Sequence, residues 1–472
     1  MEYSTPMTIR IGLVPMRLAS FFVGSIGMLP ALSACTQTAP PVAAPVPDPA
    51  TPVKEAAPAA DTYTNPVLDA DRPDPGLLRV GNTFYMLHTM GGVPAWPLYT
   101  SSDLTHWQFT KHLLTPENRP AWIKDALWAP EIHRVGSKFV LTFTAGSNTN
   151  KKLCIGMAFA DKVDGPYKVQ DKPLIADSVA VLDSHVFQDD DGKNYLLWKR
   201  DGPKGGVSGS IRLRQLNDDA TAFALDSKEV VLLESDEGKG QPWEKGLVEA
   251  PWMLKRDGTY YLIYSGAFIG TDFSYAIGVA KSKTLTGLFE RNPANPILHS
   301  NDRYGGPGHG AFVDDSTGTL FHLYHARDKQ SPNDPWAKPS GKGRVQLLDR
   351  VEWKNGWPTF AGDSPSTTPQ PAPKLGDFPA YVYMTSVGGA VTGAANLSAG
   401  AEDDLGVKAV EFFDSQNGQE RSLGAAKLAN GKWVLPLDSK KLKNGGYHIY
   451  AKATDTGGHV STSHFVEMDV KN

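Results

Sequence analysis

Many short strands, one hairpin signature that recurs five times, and a Pro-rich break before a last group of strands predict an all-β chain: a five-bladed β-propeller followed by a small β-sandwich. The 46 glycines and 36 prolines of the 472 residues are scattered through short aromatic and β-branched runs, which suits strands and turns better than long helices. The recurring signature is a turn glycine followed by an aromatic-rich alternating strand. It appears as "VGNTFYMLHT" from Val80, "VGSKFVLTFT" from Val135, "DGKNYLLWK" from Asp191, "DGTYYLIYSG" from Asp257 and "TGTLFHLYHA" from Thr317. Its glycines, Gly81, Gly136, Gly192, Gly258 and Gly318, stand 55, 56, 66 and 60 residues apart, a period that fits a four-stranded blade with long loops. A β-sandwich also yields many short strands, but it does not predict one hairpin repeated five times at that interval.

The elements before and after the repeats divide the chain further. Residues 1–35 carry Arg10 and Arg17 ahead of an apolar stretch weakened by Gly and Pro, the layout of a secretory signal and not of a spanning helix. The stretch ends in Leu32-Ser33-Ala34-Cys35, which resembles a bacterial lipoprotein lipobox, so Cys35 is the expected lipidation site. A plain secretory signal ending near Ser33 and Ala34 is the alternative. Residues 36–60 are rich in Pro and Ala with few large apolar side chains, and so read as an extended tether. The expected location is therefore the cell envelope, with contact to the membrane through a lipid anchor only. The propeller is assigned to 61–361, a second Pro/Ser/Thr-rich linker to 362–377, and the sandwich to 378–472.

Composition limits the partners. A formal net charge of −4 and the lack of a long Lys/Arg block argue against nucleic acid. Two cysteines, Cys35 and Cys154, supply neither a disulfide framework nor a CxxC zinc site. Cys154 reads as a small buried hydrophobe.

Ionisable residues stand just upstream of each turn glycine: Asp74, Glu131, Asp183, Glu249 and His309, at five to nine residues' distance. The strand opening each blade runs beside the central channel, so equivalent positions converge on one axis although they span more than two hundred residues. Paired carboxyls across a pocket divide acid and base duties, and an inverting glycosidase places them roughly 6.5–9.5 Å apart to admit a water. A third carboxylate raises the acid's proton affinity, because like charges resist joint ionisation.

The motifs "RPDPGLL", "WAPEIH", "LDSHVFQDDDGKNYLLW", "VEAPWMLKRDGTYYLIYSG", "GPGHGAFVDD" and "GRVQLLDRVEWKNGWP", in this order over about 61–361, resemble glycoside hydrolase family 43. The resemblance implies a five-bladed propeller that inverts configuration, with Asp74 as general base, Glu249 as general acid and Asp183 as the carboxylate that tunes the acid. It gives Glu131 no catalytic duty. It places His309 at the channel centre near a calcium or a water cluster, the ion being reached through water because calcium prefers oxygen ligands. It also sends Arg344 into the sugar pocket, to hold hydroxyls or orient Asp183. Trp128, with Trp96 and Tyr99, is a candidate sugar platform, and core packing is the competing reading. The expected substrates are plant cell-wall oligo- or polysaccharides carrying L-arabinofuranose or D-xylose. The alternatives are an endo-acting arabinanase of the same family, a related fructan hydrolase whose local motif is missing here, and a glycan-binding lipoprotein without catalysis, which would not need all three carboxylates. The last domain resembles the immunoglobulin-like modules of secreted hydrolases; it is read as a spacer, with glycan binding through Trp433 and Tyr447 as the alternative.

Overall fold

Five β-sheets arranged around one axis follow from the five repeats. The computed structural model describes residues 61–472 apart from 203–208, 236–237, 271, 331–342, 387 and 417–418; Cys35, the signal and the tether lie outside the described residues. Blade 1 is formed by Gly76–Val80, Thr83–Leu87, Ala95–Ser101 and Gln108–Leu114, and blade 2 by Trp128–Val135, Lys138–Gly146, Leu153–Ala160 and Lys168–Val169. Blade 3 comprises Val181–Gln188, Asn194–Asp201, Gly209–Gln215 and Val230–Glu234; blade 4 comprises Val248–Arg256, Thr259–Gly266, Ala276–Ser282 and Glu290–Arg291. Among the described residues blade 5 comprises three strands, Tyr304–Asp314, Leu320–Asp328 and Arg344–Arg350. All five turn glycines adopt positive φ, between 56° and 79°, the region where the lack of a Cβ matters.

The core is divided between the blades. Leu87, Trp96 and Leu98 of blade 1 pack on Ile132, Leu141 and Phe143 of blade 2, and Val140 and Met157 pack on Val186 and Trp198 of blade 3. Leu197 and Leu213 meet Val248 and Leu262 of blade 4, and Ile263 and Val279 meet Tyr324 and Leu347 of blade 5. Leu323 and Leu348 return to Leu77 and Phe84 of blade 1. The ring is latched by the segment before blade 1, which runs beside the last strand of blade 5. Val67 N–H donates to the Gln346 carbonyl (2.9 Å), Gln346 N–H to the Leu68 carbonyl (3.0 Å) and Arg72 N–H to the Arg344 carbonyl (3.0 Å). The Asn65 amide and Tyr63 hydroxyl both donate to the Leu348 carbonyl, at 3.1 and 2.7 Å.

The stretch 362–377, read as a linker from its composition, is held against the propeller. Gln370–Pro371 pairs with Thr62–Tyr63, and Lys374 N–H donates to Asp315 Oδ2 (2.9 Å). Beyond it lies a β-sandwich. One sheet contains Tyr381–Met384, Ala394–Glu402, Lys432–Asp438 and Lys427–Ala429; the other is built on Val407–Gln416, Gly445–Asp455 and Val466–Val470. Tyr447 is buried among Val410, Ile449 and Ala451, so its ring is not presented as a glycan contact, whereas Trp433 is half-buried and packs only in part against the same core. Alternation along a strand gives the period and leaves open which phase faces inward.

The sandwich touches the hairpin ends of three blades. Asn82 N–H donates to Asp404 Oδ2 (2.6 Å), Arg134 pairs with Glu402 Oε2 (2.6 Å) over the Tyr381 ring, and Phe465 N–H donates to the Asp190 carbonyl (2.8 Å). A Cβ at Gly81 or Gly192 would meet Asp404 or His464 at 2.0 and 2.5 Å, whereas Gly258 and Gly318 face open space.

Blades 1 and 2 approach closely at Gly76, where a Cβ would lie 2.2 Å from the Pro130 carbonyl oxygen and 2.9 Å from Glu131 Cα. Both are backbone atoms and cannot rotate away. Gly76→Ala is expected to destabilise the protein by about 1–3 kcal/mol through overpacking, read as a fall in the midpoint of thermal unfolding.

Candidate active site

Each blade enters the channel through a one-residue bulge whose extra residue is left-handed although it is not glycine. These residues are Asp74 (φ 56°), Ala129 (41°), Asp183 (56°), Ala250 (51°) and His309 (36°), and in blades 2 to 5 the register slips at this point. They are the positions that correspond between blades. Counting back from the turn glycine had instead equated Glu131 and Glu249 with Asp74 and Asp183. The count fails because the inner strands differ in length: Glu249 precedes its bulge by one residue and Glu131 follows its own by two.

Every bulge presents a backbone N–H toward the preceding blade, and a side chain there accepts it. Thr89 Oγ1 accepts from Ala129 (2.7 Å), Thr144 Oγ1 from Asp183 (3.1 Å), Ser265 Oγ from His309 (2.9 Å) and His325 Nδ1 from Asp74 (3.1 Å). Blade 3 differs: Lys199 holds the corresponding place, and Ala250 N–H donates to Asp183 Oδ2 (3.2 Å). This clamp was legible in the repeats, since Thr89, Thr144, Lys199, Ser265 and His325 each follow the turn glycine by seven or eight residues. Composition alone does not reveal it.

The bulges gather Asp74, Asp183 and His309 at the axis, with Glu249 beside them. His309 Nδ1 lies 3.6 Å from Asp74 Oδ1 and 3.9 Å from Asp183 Oδ2. Asp74 Oδ1 accepts from Arg344 Nη1 (2.8 Å), and Asp74 Oδ2 from Thr89 Oγ1 (2.6 Å). Glu249 Oε1 accepts from the buried Tyr275 hydroxyl (2.8 Å), and Glu249 Oε2 lies 3.5 Å from Lys199 Nζ. Arg344 thus pairs with Asp74 and not with Asp183. It opens the last strand of blade 5, which the latch sets next to blade 1, and its own N–H donates to Asp71 Oδ1 (2.9 Å).

Electrostatics separates the carboxyls. Burial pushes the Asp74 carboxyl up, but Arg344 and His309 outweigh it and hold it well below the ordinary carboxylate value. Asp183 moves the other way, to about 7: burial and the negative charges of Glu249 and Asp74 prevail over His309. Burial lowers the His309 imidazole, yet the carboxylates of Asp183, Asp74, Glu131 and Glu249 carry it above its ordinary value. Below this layer Glu131 is buried between His133 Nε2 (3.0 Å) and His185 Nδ1 (2.8 Å).

Direct ligation of a calcium ion by Asp74 or Glu131 fits poorly. Asp74 Oδ1 is already faced by Arg344, His325 and His309, and Glu131 Oε2 by two imidazoles, so nitrogen stands where the ion requires six to eight oxygens. Of the aromatic candidates, Trp128 is 37% exposed in the place that Glu249 holds in blade 4. Trp96 is fully buried against Phe143, with ring centroids 4.4 Å apart, and belongs to the core. Tyr99 is buried and accepts from Arg72 Nε (2.8 Å).

Residues 63–358 match the family model described as glycosyl hydrolases family 43. A xylan 1,3-beta-xylosidase from Vibrio sp. is 28% identical over 342 residues, which cover 66% of this chain and 60% of that protein. A xylosidase/arabinosidase from Butyrivibrio fibrisolvens is 29% identical over 310 residues, 62% of this chain and 55% of that protein. The chain therefore spans less than two thirds of either relative. A solved thermostable family-43 glycoside hydrolase superposes with a TM-score of 0.58 at 27% identity, covering 66% of this chain and 99% of that one.

Because Arg344 keeps Asp74 ionised, Arg344→Met should raise the pH at which Asp74 takes up its proton, followed by carboxyl-carbon NMR of aspartate-labelled protein. The sign for stability follows. A carboxyl whose proton affinity falls on folding contributes stability above its unfolded value and loses it as pH falls through the folded one. Acid unfolding of the variant should therefore begin at a higher pH.

Proposed function

Since the chain belongs to glycosyl hydrolase family 43, we propose that it is an inverting glycosidase that releases L-arabinofuranose or D-xylose from arabinan, arabinoxylan or xylo-oligosaccharides. The observation that carries this reading is the convergence of Asp74, Asp183 and Glu249 on one channel, with Asp74 held ionised by Arg344 while Asp183 retains a proton up to about 7. Asp74 takes a proton from the attacking water. Glu249 protonates the leaving oxygen while Tyr275 fixes one of its carboxylate oxygens. Asp183 keeps a second negative charge away from Glu249 below neutral pH. His309 supplies positive charge between the two aspartates, and no step passes through a metal. Trp128, exposed at the rim, offers its ring to an apolar sugar face. The names of the two relatives, a xylosidase and a xylosidase/arabinosidase, support the pentose class.

The N-terminal Leu32-Ser33-Ala34-Cys35 supports export as a cell-envelope lipoprotein anchored through Cys35. Among the described residues no helix is long and apolar enough to cross a membrane.

Purified protein should hydrolyse nitrophenyl arabinofuranoside or nitrophenyl xyloside, with inversion seen by NMR of the first-formed sugar; inactivity on both and on arabinan would overturn the assignment. Glu249→Gln should lower kcat by about 10²–10⁴-fold on substrates with poor leaving groups and much less on nitrophenyl glycosides. As pH rises through about 7 the Asp183 carboxyl loses its proton, so kcat/KM should fall on that limb. Labelled palmitate should enter the wild type expressed in its bacterial host and be lost in Cys35→Ala.

A further inference from the structure

Lys199 breaks the rule by which the other blades hold their neighbours. Thr89, Thr144, Ser265 and His325 each offer a lone pair to the next bulge N–H. An ammonium has three donors and no lone pair, so it cannot serve. The N–H left over in blade 4, that of Ala250, turns to Asp183 Oδ2 (3.2 Å). Lys199 Nζ, on a side chain only 5% exposed, lies 3.5 Å from Glu249 Oε2 and 2.8 Å from Asp201 Oδ1.

We propose that Lys199 is a positioning residue for the acid half of the site: a donor-only side chain in the clamp position hands the Ala250 N–H to Asp183, pins that carboxylate beside Glu249, and sets a fixed positive charge against Glu249. The inference rests on the glycosidase reading, in which Glu249 protonates the leaving oxygen. A buried ammonium is costly unless paired, and here carboxylates compensate it. Burial lowers its proton affinity, but Glu249, Asp201 and Asp183 raise it above the ordinary lysine value, so it stays charged through the working range. A permanent cation there favours the carboxylate that remains once Glu249 has given its proton away. Asp201 shares the ammonium. The charges facing Asp183 are His309, Glu249, Asp74 and Lys199; Lys199 is the one that enters from blade 3 itself.

Three variants test this: Lys199→Met removes the charge, Lys199→Thr restores the hydroxyl of blade 2, and Lys199→Arg keeps a cation. In Lys199→Met and Lys199→Thr, kcat on xylobiose or an alkyl arabinofuranoside should fall about 10-fold or more, against less than about 3-fold on the nitrophenyl glycosides, as expected when proton donation alone is weakened. The alkaline limb of kcat/KM should move to higher pH in both, because the cation that favours ionised carboxylates is gone. Lys199→Arg should recover most of the loss. Equal loss on both substrate classes with an unmoved alkaline limb, in variants whose circular dichroism and Tm match the wild type, would reduce Lys199 to a packing role and overturn the inference. Should Lys199→Met not fold, Lys199→Thr gives the same two readouts, because it places in blade 3 the hydroxyl that blade 2 already carries. An active wild type with unaffected variants sinks this inference alone; an inactive wild type sinks the glycosidase reading and this inference with it.

Discussion

The geometry of the channel depends on a backbone conformation that side-chain-bearing residues avoid. Five residues with a Cβ adopt the left-handed region at the bulges, at a cost on the order of 1–3 kcal/mol each. Such a conformation persists only where the surroundings leave no alternative. Here the surroundings are the neighbouring blades, because the N–H that each bulge turns out of its own ladder is accepted by a side chain across the gap. The bulge in one blade is thereby stabilised by the blade before it. His325, whose Nδ1 accepts from Asp74, joins the last blade to the first and so closes the polar ring as the Leu323 and Leu348 cluster closes the apolar one.

A ring built this way gives every blade a similar place for a side chain, and catalysis requires that the places differ. The difference comes from the clamp and from the latch. At Asp74 the last strand of blade 5 delivers Arg344, and the latch segment fixes that strand through backbone pairing. At Glu249 the clamp residue is a lysine, and a tyrosine whose ring lies parallel to His325 donates to the other carboxylate oxygen. A Cβ at Gly308 would lie 2.2 Å from the Tyr275 ring, so the glycine makes the room in which Tyr275 approaches both His325 and Glu249. The Asp74 and Asp183 carboxyls, within one low-dielectric channel, are thus driven to different proton affinities by neighbours that arrive on different strands.

Much of this was legible in the sequence, for a physical reason that also sets the limit. A turn glycine with positive φ is a local requirement, so Gly81, Gly136, Gly192, Gly258 and Gly318 identify five hairpins without any tertiary information. A bulge is a relation between two strands. Counting from the glycine therefore found Asp74, Asp183 and His309 but misaligned Glu131 and Glu249. Trp96 and Tyr447 failed as surface rings for the same reason, since a strand pattern fixes alternation and the packing partner decides which phase is buried. The threonines, serine, lysine and histidine of the clamp stand seven or eight residues after the glycine in every repeat. What hid them was their chemical variety, because three residue classes perform one hydrogen-bonding task and a fourth abandons it.

Strand direction separates chemistry from attachment. In every blade the turn glycine follows the bulge residue by seven to nine residues, a span of roughly 20–30 Å at about 3.3 Å per residue. Asp404 and His464 of the sandwich press on the turn glycines of blades 1 and 3, and the nearest atoms to Gly136 of blade 2 belong to Tyr383. The sandwich therefore occupies the end of the propeller away from the carboxylates. Its contacts bridge three consecutive blades, including the pair that meets at Gly76 and Pro130. Splaying those blades would pull Thr89 from Ala129 and Thr144 from Asp183. Because the clamps hold the bulges that carry Asp74 and Asp183, an attachment at the far end bears on the channel through the strands between them.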